Sequence, residues 1–399
     1  MPDNSGTDSE YAIIGGGIAG LATAIAFQQL GLHFTLFEQT KVLRGIGAGF
    51  GLAANAMQAL EVLGLRSEIE KIGRHVDHYN ILDEKGNILI SPDTHAIAQK
   101  YKQGNFTVHR ADLHLFLLSK INDQHLILGK KAMRVEQEKG QVTVHFEDDT
   151  THTSRYLIVA DGVKSPLRQQ LVPSSMPRYA GYTCWRATID NQEIQLDKGT
   201  ETWGKAGRFG MTPLTNNRIY WYACVNASPN SPTFQKYAID DLIKHFGHYH
   251  SPIPSILRHT KNEDLLWGDI MDIKPLKNLA YENIVFIGDA GHATTPNMGQ
   301  GACQALEDVA VLMDEVRHQT NIQDAFLSFE KRRLSRTKYI TDTSKFIGDV
   351  AQWENSLAIR MRNSVMRLMP PKIVQKSLDK LLSIDFMTLN NKQYAHTSR

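Results

Sequence analysis

The sequence predicts an α/β fold in three parts: a Rossmann-like domain, a β-sheet domain interleaved with it, and a helical C-terminus. Three observations carry this. Residues 11–37 run as apolar strand, glycine turn, Ala- and Leu-rich helix and second apolar strand, the order of a β-α-β unit. Residues 126–160 and 178–228 alternate apolar and polar positions with turn residues between them, as strands do. From about Gln304 the apolar spacing becomes helical, with Pro370 and Pro371 as breaks.

The elements follow in order. YAII at 11–14 and FTLF at 34–37 are the first two strands, and Ile18 to Leu30 is the helix between them. Residues 55–63 and 110–121 repeat the helical spacing, with Asn55 in position to cap the first of these. Between them, residues 75–92 carry a hairpin signature that turns at EKGN, 84–87. Residues 126–160 form a meander with turns at 138–140 and 148–150, ending in LIVA before Asp161 and Gly162. In the second β-rich block, 181–189 and 218–225 are strands, 238–247 is a helix, and strand-like 265–271 leads through Pro275 to IVFI at 284–287.

Composition excludes several classes. Forty-four Lys and Arg against 42 Asp and Glu leave a net charge of +2, so no overall field favours nucleic acid or an anionic membrane. Cys184, Cys224 and Cys303 are odd in number and without a CxxC pair, which argues against a disulfide framework or zinc site and for a reducing, cytoplasmic home. Residues 1–10 are polar and acidic, lack the pattern of a signal peptide, and read as a disordered leader. Residues 11–37 contain no Asp or Glu before Glu38 and no Lys or Arg, yet five glycines interrupt them, so they are not a membrane span. His245, His248 and His250 lack a carboxylate or Cys to complete a metal set and read as exposed helix-end residues. The basic run 331–338 reads as the solvated face of a helix.

The chemistry-bearing motif is Gly15-x-Gly17-x-x-Gly20 directly after a strand. One glycine makes the tight turn, one admits a pyrophosphate to the backbone, and one lets helix and strand pack closely, with Ala19 inside the same turn. Glu38, 18 residues beyond Gly20, ends the next strand where a carboxylate accepts from ribose hydroxyls, with Gln39 beside it. This predicts a dinucleotide without choosing which one.

Two further segments, VADGVKSPLR at 159–168 and IGDAGHATTPNMGQGA at 287–302, closely resemble two signatures of the flavoprotein aromatic hydroxylases. With the glycine motif they stand in that family's order, and the resemblance spans most of residues 10–370. It implies a p-hydroxybenzoate hydroxylase type of fold: an FAD-binding domain from 10–74, 93–178 and 271–330, a β-rich substrate domain from 75–92 and 179–270, and a C-terminal helical region from 331–399. It implies FAD as cofactor, NADH or NADPH as reductant and O2 as co-substrate. By the same resemblance Asp161 and Gly162 lie near the FAD and the nicotinamide route, and Asp289, Pro296, Gly299, Gln300, Gly301 and Ala302 meet the FAD ribose and ring. Arg44, Gly47, Arg110 and Met133 are placed along the flavin. A helix opening near Ala302 would point its positive end at the flavin.

The implied reaction transfers one oxygen atom to a small aromatic or heteroaromatic substrate through a flavin C4a-hydroperoxide. Tyr182, Trp185, Arg186, Arg208, Phe209, Met211 and Tyr220, on the strands of the β-rich block, are candidates to cover a planar ligand, with Tyr182, Arg208, Met211 and Tyr220 assigned to substrate. Arg208 and Tyr220 have the twelve-residue spacing of the urate hydroxylases, and together with Asn297 are the catalytic candidates. The third position departs from that pattern: an amide at Asn297 cannot accept a proton as a carboxylate does. The loop resembles salicylate-hydroxylase-like and epoxidase-like relatives instead. An epoxidase, or a flavin-binding sensor that transfers no oxygen, stays open here, as does monomer or homodimer.

Overall fold

The computed structural model describes residues 8–43, 49–102, 104–384 and 386. The expected leader falls largely outside them, and Ser9 and Glu10 already belong to the first strand, Ser9–Ile14.

The central sheet has eight strands. Its path runs Ala280–Tyr281, Ile284–Phe286, Thr151–Val159, Ser9–Ile14, Phe34–Glu38 and Leu126–Leu128, with Gln141–Phe146 and Ala132–Glu138 added as an antiparallel extension. The pairs around Ser9–Ile14 are parallel. Parallel strands are covered on both faces, which is why YAII and LIVA are unbroken apolar runs. Helices Ile18–Leu30, Ala54–Val62 and Gly301–His318 pack on one face in the largest core. The second sheet has seven strands in the order Leu266–Asp272, Arg178–Asp190, Arg218–Asn226, Gly207–Leu214, Gly199–Gly204, Tyr79–Asp83 and Ile88–Ile90. Most of its ladders are antiparallel, and Gly199–Gly204 is parallel to Tyr79–Asp83. The EKGN turn stands between the last two strands, braced by Asp83, which accepts from the Lys85 and Asn87 amides at 2.9 Å each.

The second sheet explains which side chains meet. Trp185, Ala187, Ile189, Phe209, Met211, Ile219, Trp221 and Ala223 form a core with the helices Ile239–Phe246 and Ile253–Arg258. Tyr182, Cys184, Arg186, Arg208, Tyr220, Tyr222 and Cys224 occupy the alternate positions and hence the opposite face.

Two local expectations fail for the same reason, burial. Asn55 does not cap its helix; Ala53 stands at that position, and the Asn55 amide is buried, donating to Gln300 at 2.8 Å and to Glu307. The basic run is only partly solvated. Lys331 and Lys338 are exposed, but Arg333 is buried and binds Asp308 through Nε at 2.6 Å and Glu307 through Nη1. Arg336 also reaches Glu307, at 2.7 Å from Nη2. Burial works against both carboxylates, yet Arg333 with Arg336 at Glu307, and His292 with Arg333 at Asp308, hold both below the ordinary carboxyl range.

Removing one partner of a buried ion network leaves charge uncompensated. Arg333→Met is therefore expected to cost about 3 kcal/mol, read from urea unfolding at neutral pH. A variant within experimental error of wild type would show the network to be energetically idle.

Candidate cofactor and substrate site

Three distant segments converge because their backbones touch. Gly15, at φ +108°, leaves no room for a side chain: a Cβ there would stand 2.4 Å from the Ala160 carbonyl oxygen. A Cβ at Gly20 would stand 1.8 Å from the Gly15 oxygen, and one at Gly288 2.9 Å from the Ala19 Cβ. Gly17 differs from these. It caps the helix Ile18–Leu30, and a Cβ on it would meet nothing within 4 Å. That helix has no acidic residue in its first turn and no side-chain cap, so its N-terminal amides face open space, the arrangement that receives a phosphate. Residues 15–20, 160–162 and 288–289 thus border one cleft.

Around it, the Glu38 carboxylate accepts from the Gly16 amide at 2.6 Å and the Thr40 amide at 2.8 Å, which fixes its direction and leaves lone pairs for a ligand. Gln39 is exposed next to it, and Met133 is exposed on the neighbouring extension. Arg110 is exposed at the start of the helix Arg110–Leu118, and His114 of that helix meets the Gly16 carbonyl at 2.7 Å. Arg44 and Gly47 lie outside the described residues.

Gly162 takes φ +86°, and beside it neither oxygen of Asp161 has a hydrogen-bond partner in the chain. Burial pushes the Asp161 carboxyl up to about 6, with the nearby Ser165 hydroxyl first and Arg168 after it offsetting a part. Arg168 follows in the same segment, and its role comes from its position in the fold. Fully buried, it donates to the carbonyls of Val163 at 2.6 Å and Ala290 at 3.0 Å, tying the second segment to the third. Asp289 is accessible from the cleft. Surrounding protein raises its carboxyl above the ordinary value, against the pull of His292, Arg110 and Arg168. His292 orders the loop beneath: it meets Asp308 at 2.5 Å, and the same oxygen accepts from the Gly288 amide at 2.7 Å.

The loop over residues 296–300 makes one tight turn at Pro296–Met298, passes Gly299 at φ +62°, and opens the helix Gly301–His318, whose first turn also lacks acidic residues. Pro296 and Gly299 are exposed, Gly301 and Ala302 half-buried. Gln300 is turned inward, its amide oxygen accepting from Asn55 at 2.8 Å and Gln304 at 2.9 Å. Its amide nitrogen, by contrast, is buried without a partner in the chain, so the side chain keeps an uncommitted donor.

The substrate candidates divide. Met211, with Trp185 and Phe209, lies on the helix-covered face of the second sheet and cannot reach the opposite one; strand alternation overturns Met211 as a substrate residue. Tyr182, Arg186, Arg208 and Tyr220 share the other face. Arg208 and Tyr220 are not neighbours, however. Arg208 pairs with Cys224 and Tyr220 with Thr212, a separation of about 13 Å along the strand. Arg208 donates to Gln352 at 3.0 Å and Glu201 at 3.3 Å, its guanidinium lies 5.1 Å from the Tyr182 ring centre, and its Nη2 has no partner in the chain. Asn297 links elements rather than holding a proton: its oxygen accepts from the Tyr182 hydroxyl at 3.0 Å, and its nitrogen donates to Thr295 at 2.9 Å and the Ser344 carbonyl at 2.7 Å. Gly348 makes the space for it. Tyr222 and Tyr79, whose hydroxyls stand 3.5 Å apart, belong to the same face and escaped the sequence reading. Period two counted from Tyr220 finds Tyr222; Tyr79 needs the parallel pairing of two distant strands.

Among the described residues no cluster of His, Cys, Asp and Glu could hold a metal, and no helix is long and apolar enough to cross a membrane. The three cysteines are buried and unpaired.

The unpartnered Asp161 makes stability depend on pH. Its folded value lies above the unfolded one, so the penalty is absent below about pH 4, grows through pH 6 and is complete above it. Asp161→Asn is expected to stabilise the ligand-free protein by about 2 kcal/mol at pH 8 and not at all at pH 4. Urea unfolding at both pH values checks this, and an equal effect at the two would refute it.

Residues 8–344 match the family described as FAD binding domain. The chain is 32% identical over 358 residues to an aurachin C monooxygenase/isomerase from Stigmatella aurantiaca, covering 90% of this chain and 93% of that protein. It is 28% identical to a 2-heptyl-3-hydroxy-4(1H)-quinolone synthase from Pseudomonas aeruginosa, covering 90% and 94%. Among solved structures, Klebsiella pneumoniae HpxO complexed with FAD and uric acid superposes with a TM-score of 0.85 at 26% identity, over 93% of this chain and 96% of that one. The open side of Gly17, the uncapped helix end and the orphaned Asp161 carboxylate suit the cofactor that this match names, and the chain belongs to the FAD binding domain family, among its aromatic monooxygenases.

Proposed function

We propose that this protein is an FAD-dependent, NAD(P)H-consuming monooxygenase that inserts one oxygen atom into a bicyclic heteroaromatic ring of the 4(1H)-quinolone kind. The observation that carries the reading is the tyrosine-lined sheet face, with Arg208 buried in it and one guanidinium nitrogen unpartnered. A planar ring suits the tyrosines, and the open nitrogen suits a ring oxygen. Glu201 already balances Arg208, so a neutral carbonyl is accommodated more readily than a carboxylate. The similarity to the 2-heptyl-3-hydroxy-4(1H)-quinolone synthase named above supports the ring class. Urate is disfavoured because Asn297 is an amide whose donors and acceptor are committed within the chain.

FAD, when bound, supplies the redox chemistry, with the nicotinamide as electron source and O2 as oxygen source. The chain's own groups bind and orient. Gly17, Ala19 and the helix end behind them take the pyrophosphate, Glu38 the ribose, with Gln39 and Met133 beside it. Asp289 and Arg110 serve the ribityl and phosphate chain, and the main chain at 299–302 the flavin ring. Asp161 and Gly162 border the same cleft. Tyr182 and Tyr220 flank the substrate at different points of the sheet face, and Asn297 acts as a positioning residue for Tyr182. The buried, unpaired cysteines support a reducing, cytoplasmic setting.

Substitution at Gly17 separates binding from folding. The Cβ that Gly17→Ala adds meets no atom within 4 Å, so the variant is expected to melt like the ligand-free wild type yet to retain less than a tenth of the bound flavin absorbance. Normal flavin content would refute the pyrophosphate assignment.

For the reaction, purified holoprotein is given 2-alkyl-4(1H)-quinolones, urate and benzoate-type acids, with NADH or NADPH oxidation and product mass as readouts. Quinolone-stimulated oxidation with gain of one oxygen atom is expected, and Arg208→Met should lower it at least tenfold while the flavin spectrum stays normal. Stimulated peroxide release without oxygenated product would favour the sensor reading instead.

A further inference from the structure

The overall charge of +2 hides a local concentration. Residues 356–382, the two helices Ser356–Leu368 and Pro371–Leu382, contain six Lys and Arg against a single acid, Asp379, and that acid is paired with Lys100 at 2.8 Å. Arg360, Lys372 and Lys376 are exposed and form no ion pair with any described residue.

The same helices expose a row of large apolar side chains. The first is anchored by its inner side: Arg362 donates to the carbonyls of Ala351 at 3.1 Å, Val350 at 3.2 Å and Trp203 at 3.3 Å, and Met366 is buried beside it. Its outer side therefore points away from the protein. There Leu357, Met361, Val365 and Leu368 are 76%, 60%, 58% and 80% exposed. At 3.6 residues per turn they fall within an arc of about 80°, with Arg360 at its edge. Ile373, on the second helix, is 53% exposed. Scattered exposed apolar residues need no explanation, but an aligned row does.

Next to the row lies a groove of about 470 Å³ between these helices and the strand Ile88–Ile90. Its floor is apolar, with Leu89, Ile90, Met366 and Val374, and Arg367 and Lys372 stand at its rim.

We infer that the helices Ser356–Leu368 and Pro371–Leu382 form a peripheral docking surface for an anionic lipid bilayer, the apolar row entering the acyl boundary and Arg360, Lys372 and Lys376 meeting the headgroups. An aligned apolar stripe edged by Lys and Arg is the pattern of a helix that lies in a membrane interface, and each such cation adds to the attraction of an anionic leaflet. A second copy of this chain is the poorer occupant. A two-fold interface would set the same cationic surface against itself. No helix of the described residues spans a bilayer, so the contact is one of surface.

The test uses full-length, FAD-loaded protein and flotation with vesicles of phosphatidylcholine alone or phosphatidylcholine mixed with phosphatidylglycerol. Binding to the anionic vesicles, little to the neutral ones, and weakening as salt is raised are expected. Leu357→Ser with Met361→Ser should reduce binding at least tenfold. Arg360→Gln and Lys376→Gln should each reduce it about fivefold. Flavin absorbance and melting temperature verify that every variant is folded. Equal binding to both vesicle types, no binding to either, or variants that bind like wild type would overturn the proposal. So would a homodimer in ultracentrifugation that the Leu357→Ser, Met361→Ser variant dissociates, since it would give this face to a second copy.

Discussion

The cleft depends on backbone touching backbone at places where any side chain would intervene. A Cβ at Gly20 would fall 1.8 Å from a carbonyl oxygen, and one at Gly15 2.4 Å from another. Such overlap cannot be relieved by a rotamer change, because the opposing atoms belong to strand ends held by parallel ladders on either side. From that contact follow the distance between the first two strands, the aim of the helix Ile18–Leu30, and the position of Ala19 against Gly288. The cleft is what remains in front of Gly17 once those contacts are made. Its shape is thus set before any ligand arrives, which is how a site keeps low the cost of ordering on binding.

Charge is distributed to the same end. Behind the late loop, Glu307, Asp308, Arg333, Arg336 and His292 satisfy one another away from water, and Asp308 passes this order to the Gly288 amide. In front, Asp161 has no partner and Arg208 has one nitrogen without any. Buried polar groups are ordinarily paired. The contrast between a saturated network behind the backbone and incomplete groups on the open side is the pattern in which functional sites depart from local optimality.

What the sequence made legible was what acts locally. The glycine motif, the hairpin at 84–87, the meander and the strand–turn segments at 159–162 and 287–289 are each determined by neighbours a few residues away. What it hid depends on register and depth. Met211 and Phe209 looked like ligand contacts because they share a strand with Arg208, yet odd and even positions face opposite ways. Arg208 and Tyr220, twelve residues apart, suggested a pair, but the hairpin between their strands sets them four residue pairs apart on the sheet. Asn55 and Arg333 have ordinary surface readings that reverse once a partner from a remote helix is in reach, and no spacing rule announces such a partner. A net charge likewise averages away the cations gathered in residues 356–382.

The C-terminal helices bind these parts into one. The helix Ile322–Ala351 carries Ser344, which receives Asn297 and so fixes the hydroxyl of Tyr182, and just past its end Gln352 holds both Arg208 and Asn226. The final carbonyls of that helix are in turn capped by Arg362 from the helix after it, whose guanidinium also lies 5.4 Å from the Trp203 ring centre. A cation at a helix C-terminus answers both the unpaired carbonyls and the dipole. The chain of contacts therefore runs unbroken from the outward apolar row, through Arg362 and Gln352, to the buried guanidinium on the sheet face.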